Sequence, residues 1–148
     1  CRTVEELEKV YKVMNKYGLK RGENGLKIFL MAELPSNILM AEEFSQLIDG
    51  FSIGSNDLTQ LTLGLDRDSS LVAHVYDERN PSVKRFISSL IKVAKENNTK
   101  VGICGQGPSD YPDFAQFLVE SGIDSISVTP DSILKTIKAV SKIEKEME

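Results

Sequence analysis

Short apolar runs alternate with helical segments along this chain, and no other feature of the sequence restricts its fold as strongly. Four runs have the length and composition of buried strands, and they cover residues 27–32, 51–54, 100–104 and 124–128. A segment with helical spacing follows each run. Strands that alternate with helices assemble into right-handed βαβ units around a parallel sheet. The sequence therefore predicts an α/β protein with parallel strands.

Capping residues and prolines mark the limits of the predicted helices. Thr3 and Glu6 form a capping-box pattern that begins a helix ending before Gly18. Pro81 suits the first turn of a second, long helix that ends at Asn97. The other predicted helices cover residues 38–48, 58–65 and 112–120, and a final helix begins near residue 131.

The length of the chain leaves two architectures open. Four βα units fit into 148 residues, whereas a complete (β/α)8 barrel needs about 250. Residues 1–148 are predicted to form one domain, either a small open sheet or about half of a TIM-type (β/α)8 barrel. In the half barrel, the apolar strands are expected to face the barrel axis, opposite a layer supplied by the rest of the barrel. Because the chain begins with Cys1, we expect it to be part of a longer protein.

Composition argues against two classes of partner. The net charge of −4 and the pI near 5.1 oppose binding to a nucleic-acid backbone, which normally requires a basic surface. No apolar run approaches the roughly 18 residues of a membrane span. The two cysteines, Cys1 and Cys104, lack the spacing of a zinc site or a disulfide framework. We expect a reducing, cytoplasmic environment.

Chemically capable residues follow three of the predicted strands. They are Glu33, the loop of residues 55–57, and Cys104. Ligands of parallel α/β folds bind at the carboxyl ends of the strands, so these residues are expected to converge. Glu33 and Asp57 would supply two carboxylates for Mg²⁺ or Mn²⁺, with water and substrate completing the coordination. The alternative is that each carboxylate caps the helix that follows it.

Three further residues each allow a structural and a functional interpretation. Cys104 lies in the glycine-rich stretch of residues 102–110, which could approach a small substrate, and its thiol is either a proton donor, a nucleophile or a buried apolar group. Arg67 is either an ion-paired surface residue or a clamp for a phosphate group. His74, the single histidine, lies in a polar stretch where a solvated residue is expected.

Three motifs, in this order, resemble the family of phosphoenolpyruvate-utilising enzymes. They are residues 33–35, 50–60 and 102–105. The similarity extends over essentially the whole chain. Within the family, residues 77–81 and 106–110 resemble the synthase branch more than the dikinases or the sugar-phosphotransferase enzymes I.

The resemblance implies a role for each candidate residue. Glu33 and Asp57 match the family's magnesium ligands, and Cys104 matches the acid/base that exchanges a proton with the methylene carbon of enolpyruvate. Asn56 matches a contact to the phosphate of the substrate, and Arg67 matches an arginine that neutralises the phosphoryl group. Ser55 and Gly105 adjoin matched residues and are expected to contact the substrate as well.

The resemblance also implies that most of the enzyme lies outside this chain. A complete synthase converts pyruvate, ATP and water into phosphoenolpyruvate, AMP and phosphate, through a phosphohistidine on another domain. Its ATP-grasp domain and the first half of the barrel would precede this chain, so the chain alone is expected to be inactive. Two alternatives stay open: an association module of a homo-oligomer, since unpaired strand edges invite pairing, and another phosphoenolpyruvate or pyruvate barrel enzyme, such as a lyase.

Overall fold

The computed structural model describes residues 1–147 and shows a four-stranded sheet flanked by helices. The strands are β1 (Phe29–Ala32), β2 (Gly50–Gly54), β3 (Lys100–Cys104) and β4 (Ser125–Ile126). The α-helices are α1 (Val4–Lys16), α2 (Pro35–Leu39), α3 (Ala41–Ser45), α4 (Ser55–Leu63), α5 (Pro81–Glu96), α6 (Gly107–Asp110), α7 (Pro112–Glu120) and α8 (Ile133–Met147). Three single 3-10 turns cover Glu23–Gly25, Ala73–Val75 and Pro130–Ser132.

All neighbouring strands are parallel, and their order in the sheet is their order in the chain. Right-handed crossovers in such a succession place every connecting helix on the same side. A doubly wound sheet reverses its strand order at one point, and this sheet does not. The arrangement is an arc of a barrel, which confirms the α/β prediction and favours the half barrel over the open sheet.

The two faces of the sheet differ in burial. On the helix side, the strands bury a continuous apolar layer: Leu30, Ala32, Phe51, Ile53, Val101 and Ile103. On the other side, which would face a barrel axis, Phe29 is 51% exposed and Met31 is 42% exposed. Ser52 and Cys104 follow on this face along the neighbouring strands. The expectation that the apolar strands pack mainly toward the axis was therefore wrong, because most of their apolar side chains lie beneath the helices.

Local capping confirms the limits of two predicted helices. Thr3 Oγ1 accepts a hydrogen bond from the backbone nitrogen of Glu6 at 3.3 Å at the start of α1. Asn80 Oδ1 accepts from the backbone nitrogen of Ser82 at 2.9 Å at the start of α5, and Pro81 occupies the first turn. Both caps satisfy amides that lack a partner within the helix.

The predicted helix of residues 38–48 and the predicted loop of residues 55–57 require correction. The helix begins earlier, at Pro35, and is broken at Met40, where φ is −108° and ψ is 26°. The loop is the first turn of α4, because this helix begins at Ser55 directly after β2. The last strand is also shorter than predicted, since β4 pairs with β3 through only Ser125 and Ile126.

Aspartates at the amino ends of two strands fix the register of the sheet. Asp49, just before β2, accepts from the backbone nitrogen of Ile28 at 2.7 Å and from Arg21 Nε at 3.0 Å. Asp124, just before β4, accepts from the backbone nitrogen of Val101 and from Lys100 Nζ, each at 2.9 Å. Each carboxylate ties one strand to its neighbour at the end opposite the candidate site.

Within residues 1–147, no helix is both long and apolar enough to cross a membrane.

Candidate functional site

The carboxyl ends of the first three strands bring the predicted site residues to one edge of the sheet. Glu33 directly follows β1, Ser55 directly follows β2, and Cys104 is the last residue of β3. The register places Gly54 beside Cys104, so the start of α4 lies next to the thiol-bearing end of β3. This convergence is the one expected of a parallel α/β fold.

The Cys104 side chain lies on the open face of the sheet and is partly exposed. Its Sγ lies 3.3 Å from the carbonyl oxygen of Ile53 and 3.7 Å from Sδ of Met31. Ser52 Oγ donates to the sulfur at 3.5 Å. The thiol is thus neither fully buried nor without hydrogen-bond partners. The Ser52 hydroxyl can donate to the sulfur at this position.

A close approach between Ser55 and Gly105 shapes the turn after Cys104. Ser55 Oγ donates to the carbonyl oxygen of Cys104 at 3.1 Å. Gly105 has a φ of +117°, and a Cβ at this position would clash with Ser55 Oγ. The turn therefore requires glycine for both its backbone conformation and its contact with α4.

Asn56 lies between a cation and an anion. When its amide is oriented to satisfy both groups, the nitrogen donates to Glu78 Oε1 at 3.1 Å and the oxygen accepts from Arg67 Nη1 at 3.3 Å. Arg67 Nη2 also lies 4.0 Å from Asp57 Oδ1. Arg67 is therefore directed toward the first turn of α4, although its side chain is 36% exposed.

Glu78 is a site residue that the sequence did not reveal as one. It is only 4% exposed, and burial raises the pKa of its carboxyl, while the nearby Ser55 hydroxyl opposes this shift. A Cβ added to Gly107 would lie 2.8 Å from Glu78 Oε2, so the turn after Cys104 packs directly against the carboxylate. The sequence feature that could have indicated Glu78 is the synthase-like stretch of residues 77–81, for which no role could be predicted.

Tyr76 adds a hydroxyl to the polar cluster of Asn56, Arg67 and Glu78. Its Oη donates to the backbone oxygen of Asn56 at 3.4 Å. Burial, reinforced by the negative charge of Glu78, raises the pKa of Tyr76 to about 12. The phenol therefore stays protonated at neutral pH and acts as a hydrogen-bond donor.

An open cavity of about 440 Å³ adjoins this cluster. Its lining is mostly polar and consists of Asn56, Arg67, Asp68, Tyr76, Glu78, Gln106, Asp110 and Tyr111. A second open cavity, of about 460 Å³, is lined by residues of α7, β4, α8 and the segments between them, away from the strand ends that carry the predicted site. The polar cavity is the candidate anion-binding site, and Cys104, Glu33 and Asp57 are not among its lining residues.

The two predicted metal ligands, Glu33 and Asp57, lie at the carboxyl edge of the sheet, one directly after β1 and one in the first turn of α4. Leu34, and not Glu33, is the N-cap residue of α2, and Asn37 Oδ1 accepts from the backbone nitrogens of Glu33 and Leu34 at 3.3 and 3.1 Å. Asp57 lies in the first turn of α4, a position compatible with both helix stabilisation and metal binding. A Cβ at Gly54, the residue before α4, would lie 3.1 Å from Glu33 Oε2, so the Glu33 carboxylate lies against the start of the helix that carries Asp57.

Two carboxylates are too few for a closed cage. In the part of the chain that the structure describes, no group of three or more His, Cys, Asp or Glu side chains is arranged to hold a metal. The donor set fits Mg²⁺, which retains waters and takes further oxygens from a substrate. His74 lies exposed in the turn Ala73–Val75, as the sequence predicted.

Sequence comparisons relate almost the whole chain to one family. The family described as PEP-utilising enzyme, PEP-binding domain, matches residues 1–145. Phosphoenolpyruvate synthases of Aquifex aeolicus (strain VF5) and Escherichia coli (strain K12) are 69% and 54% identical to the chain over 147 and 144 residues. These alignments cover 99% and 97% of this chain but only 17% and 18% of the relatives. The chain thus spans less than a fifth of their length.

A solved structure shares the fold at low sequence identity. It is a HpcH/Hpal aldolase/citrate lyase family protein from Burkholderia cenocepacia J2315, with a TM-score of 0.57 and 18% identity. The match covers 90% of this chain and 47% of that chain. This likeness supports the partial-barrel architecture and concerns the fold alone.

Proposed function

The chain belongs to the family of PEP-utilising enzymes, as their PEP-binding domain, and from this premise we propose that it carries the pyruvate and phosphoenolpyruvate site of a phosphoenolpyruvate synthase. Relatives of that name match the chain nearly from end to end. The complete protein would convert pyruvate, ATP and water into phosphoenolpyruvate, AMP and phosphate. The nucleotide site and the phosphohistidine would belong to other domains of that protein.

One observation carries the proposal more than any other: Cys104 and the first turn of α4 meet at the carboxyl edge of the sheet. Gly54 and Cys104 are register partners, and Ser55 binds the carbonyl of Cys104. A group for proton transfer therefore lies beside residues suited to bind an oxygen-rich anion. Conversion of pyruvate into phosphoenolpyruvate requires both, because a carbon loses a proton while an oxygen gains a phosphoryl group.

Cys104 would move the proton at the methyl carbon. In the synthetic direction its thiolate removes a proton from pyruvate, and the resulting enolate oxygen forms a bond to phosphorus as the phosphorus–nitrogen bond of the phosphohistidine breaks. In the reverse direction its thiol returns the proton to the methylene carbon. The hydrogen bond from Ser52 would help to hold the sulfur in place on the open face of the sheet.

Asn56 and Arg67 would bind the phosphoryl group, with Ser55 and Gly105 next to the substrate. The Arg67 guanidinium supplies positive charge and several parallel N–H donors, which suit a phosphoryl group in a partly desolvated cavity. Asn56 shares a hydrogen bond with Arg67, so the two groups would act on the same oxygens.

Glu33 and Asp57 would hold Mg²⁺, or Mn²⁺ in its place. When bound, the metal would supply a Lewis acid for the enolate oxygen of the substrate. The two carboxylates leave coordination positions for water and for substrate oxygens.

The proposal is tested by the stoichiometry of the complete protein. With pyruvate, ATP and a magnesium salt, formation of phosphoenolpyruvate should be accompanied by equal amounts of AMP and phosphate. Cleavage or condensation of carbon–carbon bonds, without formation of phosphoenolpyruvate, would instead support a lyase. A protein that consumes ATP but leaves pyruvate unchanged would contradict the proposal.

A further inference from the structure

Two stretches of the sequence that have no part in the chemistry above meet in the structure. They are residues 77–81 and the segment after Cys104. The Arg79 guanidinium lies 4.1 Å from the centre of the Tyr111 ring and forms an ion pair with Asp77 at 3.0 Å. Asp113 lies 4.0 Å from the same guanidinium. These contacts hold Asp77 and Arg79, and with them the residue between the two, against Tyr111 at the junction of α6 and α7.

That residue is Glu78, and its burial requires a reason. A carboxylate that is 4% exposed loses most of its hydration, which is unfavourable unless hydrogen bonds compensate. Its hydrogen-bond partner is the Asn56 amide nitrogen at 3.1 Å, and the Ser55 hydroxyl, which donates to the Cys104 carbonyl, lies beside it. Both belong to the first turn of α4. The buried carboxylate is thus directed at two adjacent residues of the candidate site.

We propose that Glu78 is the positioning residue of the phosphoryl site, where it fixes the Asn56 amide with its oxygen toward Arg67. This inference rests on the proposed function. The reason lies in the hydrogen-bonding inventory of the three side chains. An ionised carboxylate only accepts hydrogen bonds, and a guanidinium only donates them. An amide accepts with its oxygen and donates with its nitrogen. Between Glu78 and Arg67, the Asn56 amide has a single satisfied orientation.

This orientation prepares the site before a substrate arrives. The second amide hydrogen of Asn56 and the remaining guanidinium donors of Arg67 are available for an anionic ligand. A glutamine at position 78 could present either its oxygen or its nitrogen to Asn56, so the orientation of the Asn56 amide would no longer be fixed. Binding of a phosphoryl group would then require the Asn56 amide to be reoriented, which makes the binding free energy less favourable.

The experiment uses the complete protein and compares binding of phosphoenolpyruvate with binding of pyruvate, by calorimetry in a magnesium buffer without ATP. Glu78→Gln should weaken binding of phosphoenolpyruvate about tenfold, the loss of one charge-assisted hydrogen bond. Binding of pyruvate, which lacks the phosphoryl group, should change less than about twofold. The matched control is Glu96→Gln, the same acid-to-amide change at an exposed position of α5 outside the cavity, which should alter neither.

A double-mutant cycle separates positioning from a general structural role. In an Asn56→Ala background, Glu78→Gln should have almost no further effect on the affinity for phosphoenolpyruvate, because Glu78 acts through Asn56. Equal losses for both ligands, an undiminished effect in the Asn56→Ala background, or unchanged affinity would overturn the inference. If Glu78→Gln fails to fold, Glu78→Asp, which keeps an acceptor but shortens its reach, enters the same cycle. A wild-type protein that binds neither ligand would refute the proposed function rather than this inference.

Discussion

The Ser55 hydroxyl donates to the backbone carbonyl of Cys104 at 3.1 Å, and this bond joins the start of α4 to the end of β3. It links the helix that carries the predicted anion-binding and metal-binding residues to the strand that carries the predicted acid/base. The relative position of the two groups therefore depends on how closely the turn after Cys104 approaches Ser55.

Gly105→Ala should disrupt this approach. The new methyl group would meet Ser55 Oγ, and the φ of +117° is unfavourable for any residue with a Cβ. We expect a loss of about 2 kcal/mol or more in the free energy of unfolding of the 148-residue chain. Gly18→Ala is the matched control, since Gly18 also has a positive φ, +76°, but has no neighbour within 4 Å. Equal losses in urea unfolding for the two variants would show that the contact with Ser55 is unimportant.

Glu78→Gln should not destabilise the chain at neutral pH, even though it weakens the site. The pKa of Glu78 is raised by burial, so the folded state binds its proton more tightly than the unfolded state does. The contribution of Glu78 to stability is largest below its unfolded pKa of about 4 and decreases as the pH rises through the folded value. The variant should therefore gain stability relative to the wild type as the pH rises above about 4. Urea unfolding at several pH values measures this difference, and a difference independent of pH would contradict the account.

Asp49 should show the opposite pH dependence. The hydrogen bond from Arg21, aided by the backbone amide of Ile28, holds the pKa of Asp49 below its ordinary value despite partial burial. Its stabilisation is present above the unfolded pKa of about 3.9 and is lost as the pH falls through the lower folded pKa. Asp49→Asn should lower the free energy of unfolding by about 1 kcal/mol at pH 7. The same comparison near pH 2 should show almost no difference; a difference that persists there would mean that the charge is not the cause.

The isolated chain should associate with itself. Its sheet has unpaired edges at β1 and β4, and Phe29 and Met31 leave apolar surface on the face without helices. Sedimentation over a concentration series should give an average mass that rises above the monomer mass of 16.4 kDa. Phe29→Ser should reduce this association. A single 16.4 kDa species at all concentrations would instead indicate a self-sufficient monomer.

The strands and the residues at their carboxyl ends could be predicted because each depends on local sequence. Lys100–Cys104 is an apolar run with clear limits, and the structure gives β3 the same limits. The first turn of α4 could not be recognised, because Ser55, Asn56 and Asp57 are equally typical of a loop before a helix. Only the structure shows that α4 begins at Ser55, directly after β2.

Glu78 could not be predicted as a site residue for a different reason. It lies in a polar stretch without periodicity, where a glutamate is normally solvated. Its burial arises from contacts with Asn56 and Gly107, which are distant in the sequence. Only tertiary packing buries this carboxylate, and no local sequence pattern predicts its burial.

The most direct test of the central claim is exchange of the methyl protons of pyruvate with deuterated solvent, catalysed by the complete protein. Wild-type protein should catalyse the exchange, and Cys104→Ala should reduce its rate by at least about 100-fold, because the group that moves the proton is removed. The variant should keep the wild-type thermal unfolding transition, and it should keep the histidine phosphorylation proposed for the complete protein, because neither depends on the thiol. Exchange at the wild-type rate by a folded Cys104→Ala protein would contradict the assignment of the acid/base to Cys104.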